Sequence, residues 1–375
     1  MDKSRVLTLL KELVATNSEN PEGITKEVAK ILRNHMASYG VACEQVGLTE
    51  RPNLIFSSHD GQKGDILMHG HMDTVPIGPL ESWSHDPFSS EIVDGRLYGR
   101  GSCDMKGSVA ALAETLILYT EERHTKPLVV LATSDEETGC YGAEVVAKSG
   151  KLDGIRFGIC AEPTSLQVLV GEKGIFWSKI IAKGKSAHGS RPEEGLNAIQ
   201  ACIDAIRLIT ENPFPYEANE LLGKPTMNIG VIAGGIQVNI VPDSCEAQID
   251  MRLVKGQYPD ALLKAMNARL ESAGLSDRVQ VEYIHGKPAV LTPVESEIVT
   301  LARTAVTRVT GKSPALGIAT YGTDCSVLQP DVGILNVICG PGSIEQAHQP
   351  DEYITLDDLY QSVDVYLEIA RNFSN

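Results

Sequence analysis

The order of strand and helix signals between residues 174 and 284 constrains this chain more than any other feature. An apolar strand pattern over 175–182 gives way to a helical stripe over about 194–209, carried by Leu196, Ile199, Ile203 and Ile206. Strands follow near 226–233 and 244–254, then a helix near 259–273 and a strand near 279–283. That order, β-α-β-β-α-β, is the split unit of a ferredoxin-like domain and is complete in itself. Around it the grammar is different. Strand-like runs at 53–56, 65–68, 128–133 and 157–161 alternate with helical stretches at 6–14, 25–39 and 107–119, and the alternation resumes over 297–309, 333–338 and from 356 onward. Alternating elements of this kind build a largely parallel, helix-covered sheet. The expected architecture is therefore an α/β domain made of residues 1–173 and 285–375, interrupted by an α+β domain at 174–284. A length of 375 residues accommodates two such domains.

Composition narrows the class of partner. With 33 Lys+Arg against 49 Asp+Glu the formal charge is −16, so a polyanionic nucleic acid would be repelled and no nucleic-acid partner is expected. Hydrophobic residues at 42% and charged residues at 22% are ordinary for a globular chain. No apolar run approaches the roughly 20 residues of a membrane span. The first residues mix charges (Asp2, Lys3, Arg5, Lys11, Glu12) where a signal peptide would be basic and then apolar. Eight scattered cysteines without a CxxC pair suit buried thiols in a reducing compartment. A cytoplasmic location is expected.

The chemistry concentrates in five segments that follow strands or lie in Gly/Pro-rich loops. His71 and Asp73 stand two apart at the end of an apolar strand. Asp104 lies in the Gly-rich turn Gly99–Gly107 that opens an Ala-rich helix. Glu136 and Glu137 are adjacent just beyond the strand at 128–133, Glu162 directly follows another strand, and His348 sits in a Gly/Pro-rich loop before the last helix. Each has a bland reading: a strand-end histidine, a helix-capping aspartate, a solvated acidic pair, two loop residues. Together they supply two histidines and several carboxylates at strand ends, where ligands of open α/β sheets bind. This N/O donor set suits zinc, with cobalt or manganese as substitutes. One member of the Glu136–Glu137 pair can hold metal while the other serves as a general base. His69 and His71 also form the HxH pair of barrel amidohydrolases, but the inserted split unit fits an eightfold barrel poorly, and His69 is read as structural. The Gly-rich turn at 99–107 is too loose for a dinucleotide fingerprint.

In this order, and together with the insert, these segments resemble the acetylornithine deacetylase / succinyl-diaminopimelate desuccinylase family, relatives of aminoacylase-1 and of carboxypeptidase G-type enzymes. The resemblance covers essentially the whole chain. It implies two zinc ions, one held by His71 and Glu162 and the other by Glu137 and His348, with Asp104 bridging, Asp73 orienting His71, and Glu136 as general base. It also implies a homodimer in which His188, in the run Lys183–Ser190, enters the partner subunit's site and helps hold the oxyanion. Asn239 and Arg252 match positions that bind the substrate carboxylate, and the run Thr320–Asp324 brings in Thr323 as a substrate contact. The bland readings of His188, Asn239 and Arg252 are an exposed loop, a turn former and a surface charge.

The activity implied is hydrolysis of an N-acyl amino acid, with N2-acetyl-L-ornithine the first expectation from the run Gly340–Tyr353. N-succinyl-LL-diaminopimelate, dipeptides and other acyl amino acids are the alternatives. Residues 174–284 carry 11 basic against 13 acidic side chains, a weak argument against a polyanionic substrate. A catalytically inactive binding homologue would lack a ligand or the base, and none is missing.

Overall fold

The computed structural model describes residues 2–20, 24–59 and 64–374, and the chain divides into two compact units. One comprises Met1–Gly171, Thr292–Ala319 and Thr323–Asn375; the other comprises Glu172–Leu291 with the short return Thr320–Gly322.

The centre of the larger unit is a run of four parallel strands in the order Leu128–Thr133, Ile66–His71, Phe157–Pro163 and Leu335–Gly340. The first three are buried along their whole length, which is why they read as continuous apolar runs rather than alternating ones. Leu67, Val129 and Leu131 pack on one face against Ala143 and Val146 of the helix Tyr141–Lys148 and Val327 and Leu328 of the helix Cys325–Val332. On the other face Val130 and Ala132 meet Val109, Leu112 and Ala113 of the helix Gly107–Glu121. That helix is apolar nearly all round because Lys3–Val14 and Leu356–Ser374 cover its outer side. The last of these starts at a side-chain cap: the Asp358 N–H donates to Thr355 Oγ1 at 3.0 Å. Pro52–Ser57 and then Ala42–Gly47 add antiparallel strands at one side. Ala42–Gly47 has no apolar pattern to announce it, because this strand is mostly exposed.

The smaller unit is an antiparallel sheet in the order Thr226–Gly234, Ser244–Leu253, Gly174–Lys183, Val279–Lys287, with the helices Ala198–Thr210 and Pro259–Ser272 on one face. Phe176, Ile180, Ala182, Ala247, Ile249 and Met251 turn inward at every second position and pack with Ala201, Ala205, Met266 and Leu270. The chain thus combines an α/β unit built on a mostly parallel, helix-covered sheet with a smaller ferredoxin-like α+β unit. No helix among the described residues is long and apolar enough to cross a membrane.

Parallel strands end on the same side. His71 is paired with Thr133, so the segments leaving these two strands start level with one another, and Glu162 emerges from the neighbouring strand. That shared edge is where the chemistry-bearing residues meet.

Candidate active site

His71, fully buried at the end of its strand, sets the geometry. Its Nδ1 lies 2.9 Å from the main-chain carbonyl of Asp73. A carbonyl can only accept, so Nδ1 carries the proton and Nε2 is turned inward. There it faces Asp104 Oδ1 at 3.1 Å and Glu162 Oε1 at 3.6 Å. The other oxygen of Asp104, Oδ2, lies 3.3 Å from His348 Nε2, which is also 3.2 Å from Glu137 Oε1. Asp104 therefore presents one oxygen to each histidine, and each Nε2 faces two carboxylates.

The turn that delivers Asp104 follows Gly101, whose φ of +82° is left-handed, and the Asp104–Met105 peptide is cis. Gly340 lies against the Glu162 strand so closely that a Cβ would come within 2.1 Å of the Ala161 carbonyl, so only glycine lets the His348 loop depart here. His348 and Asp135 themselves hold left-handed φ values of +63° and +60°. Non-glycine residues in that region are uncommon and concentrate at functional sites.

Charge is the dominant feature of the group. Burial pushes Glu162 well above the usual carboxylate range, and the neighbouring Asp104 adds to the shift. Burial also pushes up Glu136, helped by Glu137 and Asp324 against the pull of His71, and it raises Asp73 to about 7. Burial opposes charge on His71, but Glu162 and Asp104 outweigh it and raise its pKa. Asp104 and Glu137 raise His348 to about 10. Burial would likewise raise Asp104, yet His348 and His71 hold it below the usual carboxylate range. These shifts have one physical origin: buried negative charge that cationic partners must offset.

The donor set fits metal ions on that observation. The ligand atoms of His71, Glu136 and Glu162 all lie within 4.8 Å of one another, as do those of His71, Asp104 and Glu137. Imidazole nitrogen with carboxylate oxygen is a donor set that suits zinc, and the mutual crowding of these atoms is what a cation relieves.

The main-chain carbonyl of Asp73, rather than its carboxylate, receives the His71 Nδ1 proton, and the carboxylate has a task that its sequence position does not reveal. The carboxylate stands 3.7 Å from His71 Nδ1 but accepts from the Glu136 and Glu137 N–H groups at 3.3 and 3.1 Å. It thus fixes the tight turn carrying the acidic pair. Asn20 Nδ2 donates to the same carboxylate. No motif marks Asn20, and its only sequence signal is a polar residue next to a proline near the start of the chain. His69 stays out of the group, fully buried with Nε2 3.1 Å from Asn336 Oδ1. Thr323 is also fully buried, and its hydroxyl accepts from the Cys325 N–H at the start of a helix.

His188, Asn239 and Arg252 belong to the smaller unit. His188 forms a bridge with Ile240, and the Gly189 N–H donates to the Asn239 carbonyl at 2.7 Å, so the His188 and Asn239 loops lie side by side. His188 is exposed, and its Nδ1 accepts from the Ser190 N–H at 3.2 Å. In the neutral ring the remaining proton then sits on Nε2. Arg252 is elsewhere on the sheet. Ser244 is paired with Lys183 and Arg252 with Ile175, so eight residues separate Arg252 from the strand end that leads into the Asn239 loop. At ~3.3 Å per residue that is about 26 Å. Arg252 Nε lies 3.2 Å from Asp250 Oδ2.

The family model for Peptidase family M20/M25/M40 matches residues 67–372. An acetylornithine deacetylase of Edwardsiella ictaluri is 35% identical over 339 residues, covering 86% of this chain and 83% of its own. Among solved structures, an M20 family metallo-carboxypeptidase from Sulfolobus solfataricus has the same fold, with a TM-score of 0.83 at 22% identity over 100% of both chains. A dinuclear metal-binding peptidase of the M20 family from Bacillus subtilis follows with a TM-score of 0.75 at 18% identity, covering 99% of this chain and 98% of its own. With the family model spanning most of its length and a close set of imidazole and carboxylate donors at its sheet edge, the chain belongs to peptidase family M20/M25/M40 and is a metal-dependent amidohydrolase.

Proposed function

We propose that the protein is a dinuclear zinc deacylase of N-acyl amino acids, with N2-acetyl-L-ornithine as substrate and ornithine and acetate as products. The carrying observation is the split presentation of Asp104, one oxygen toward His71 and the other toward His348. The 35% identity to an acetylornithine deacetylase supports the substrate. His71 and Glu162 would hold one ion, Glu137 and His348 the other, and Asp104 both. Ions there supply a Lewis-acid pull on the amide carbonyl and make an attacking water acidic near neutral pH.

The chain's own residues do the rest. Glu136, half-buried and raised in pKa, takes a proton from the attacking water and returns it to the departing amine. Arg252 presents a planar fork to the substrate α-carboxylate. His188, with its proton on Nε2, donates to the carbonyl oxygen as negative charge develops there. An acyl amino acid is roughly 10 Å long on the extended-chain scale of ~3.5 Å per residue. Arg252 and the His188–Asn239 loops stand about 26 Å apart along their sheet, more than twice that length. This supports a homodimer in which His188 and Asn239 come from the second copy. A cytoplasmic location completes the reading, with seven of eight cysteines buried and no disulfide among the described residues.

The test is a hydrolysis panel of acetylornithine, succinyl-diaminopimelate and several dipeptides, run on metal-analysed protein before and after chelation. Turnover of acetylornithine at least tenfold above the others, lost on chelation and restored by zinc, is expected. Preference for another member of the panel would replace the substrate. A chain that keeps full turnover after complete chelation would overturn the metal assignment.

A further inference from the structure

Four residues beyond His348, Glu352 is fully buried and takes no part in the donor groups described above. Its carboxylate is saturated from a single segment. Oε2 accepts from Arg100 NH1 at 2.6 Å and from the Gly101 N–H at 3.0 Å; Oε1 accepts from the Cys103 and Asp104 N–H groups, both at 2.9 Å. The Glu352 carbonyl accepts from the Gly99 N–H as well. Arg100 is itself only 2% exposed, so each charge is buried against the other. An ion pair this deep is not a cheap way to gain stability, since desolvation offsets much of the attraction. Its geometry accomplishes something else.

The segment that Glu352 clamps ends in Asp104, and the segment that supplies Glu352 begins with His348. The strand Tyr353–Thr355 pairs antiparallel with Arg96–Tyr98, so a short ladder leads into the Asp104 turn on one side and out of the His348 loop on the other. Glu352 closes the top of that ladder. Without its carboxylate, four donors of this turn, the Arg100 guanidinium and the Gly101, Cys103 and Asp104 N–H groups, would lose their acceptor, and nothing in the ladder would fix how far Asp104 Oδ2 stands from His348 Nε2.

We infer that Glu352 is a positioning residue: it touches neither substrate nor metal, but it sets the spacing of Asp104 and His348 and thereby the affinity of the metal position these two share. The inference rests on the dinuclear reading proposed above. A second arginine–glutamate pair, with its carboxylate buried and its arginine partly exposed, provides the internal comparison. Glu114, 1% exposed, accepts from Arg5 Nε and NH2 at 2.6 and 2.8 Å and ties the helix Lys3–Val14 to Gly107–Glu121, with neither partner in a ligand-bearing loop.

The experiment titrates metal-free wild type, Glu352→Gln and Glu114→Gln with Zn2+ alone by competition against a chelator, after circular dichroism has established that each folds. Groups that orient metal ligands are worth about 10- to 100-fold in affinity. Glu352→Gln should weaken the second zinc ion by that factor and leave the first within about threefold. Glu114→Gln should lower Tm while moving neither affinity. Glu352→Asp, which keeps the charge but is one methylene shorter, should fall between wild type and Gln; it also replaces the Gln variant if that one does not fold. Two unchanged zinc affinities in a folded Glu352 variant, or an equal loss in Glu114→Gln, would overturn the inference. The deacylase reading fails separately: wild type that binds two zinc ions yet hydrolyses no acyl amino acid removes that reading and leaves the role of Glu352 standing.

Discussion

The two regions that bear the proposed chemistry are built on opposite principles. At the edge of the parallel sheet, His71, Asp73, Asp104 and Glu162 are buried at the ends or turns of rigid elements, and His71 lies 3.1 Å from Asp104, 3.6 Å from Glu162 and 3.7 Å from Asp73. In the smaller unit, His188 and Asn239 are exposed loop residues, and Arg252 lies some eight residues away along the same sheet. One region is a finished constellation within one copy of the chain. The other is a set of separated contacts that, on the proposed reading, a second copy brings to the site. On the proposed reading the difference separates two tasks: the buried, mutually dependent charges hold metal and move the proton, whereas the separated groups of the smaller unit hold the substrate and its developing oxyanion.

If that division is right, the largest effect comes from the finished constellation. Glu136→Gln removes a proton acceptor and keeps the shape, so kcat should fall by about 10²–10⁴, the range for losing a general acid–base group. Both metal ions should remain, as measured by elemental analysis. A variant that lost a metal ion along with activity would make Glu136 a ligand, which its membership of a donor group with His71 and Glu162 makes a pointed test.

The next effect probes the incomplete region. His188→Ala should lower kcat by about 10²–10³, as for loss of an oxyanion donor. Mixing it with Glu136→Gln under conditions that exchange subunits should restore part of the activity, because one hybrid site then has both Glu136 and His188. Absence of any rescue while mass analysis shows hybrid dimers would place His188 in the same copy as the site it serves. Arg252→Ala should act more mildly, and on a different constant. Loss of a charge-assisted hydrogen bond of about 1.5–3 kcal/mol corresponds to about a 10- to 150-fold rise in KM with little change in kcat. A fall in kcat with constant KM would contradict a carboxylate-binding role.

The same division governs how much could be read from the sequence. The parallel strands announce themselves because burial on both faces leaves unbroken apolar runs, and residues immediately after such runs are candidates for one edge. His71, Glu136, Glu137 and Glu162 were legible on that ground, and the split α+β unit on the order of its elements. What stayed hidden depends on contacts between distant segments. The Asp73 carboxylate holds the turn of Glu136 and Glu137 across 63 residues or more, and Glu352 grips the Asp104 turn across about 250. Neither pairing has a local period or spacing. The exposed strand Ala42–Gly47 left no pattern because it has no buried face to impose one. The return of Thr320–Gly322 to the smaller unit was hidden for a similar reason, being too short to carry a period.

The smallest predicted effect asks whether the two regions are energetically separable. The helix Ala198–Thr210 packs Ala201, Cys202, Ala205 and Ile209 into the core of the smaller unit, and its first turn is closed by Asn197, whose Oδ1 accepts from the Gln200 N–H at 3.0 Å. Asn197→Ala removes this cap and should cost about 1 kcal/mol. That is too little to unfold the unit but enough to raise amide exchange about fivefold through the first turn of the helix, since 1.4 kcal/mol corresponds to tenfold. Hydrogen exchange read by mass spectrometry should show the change at 198–203 and no change in the strands Ile66–His71 and Phe157–Pro163. Zinc content and kcat should stay at wild-type levels, because no ligand or proposed base shares a hydrogen bond with this helix. Faster exchange in those two strands would mean that the units unfold together. The exposed contacts of the smaller unit would then draw their rigidity from the same cooperative core as the buried site.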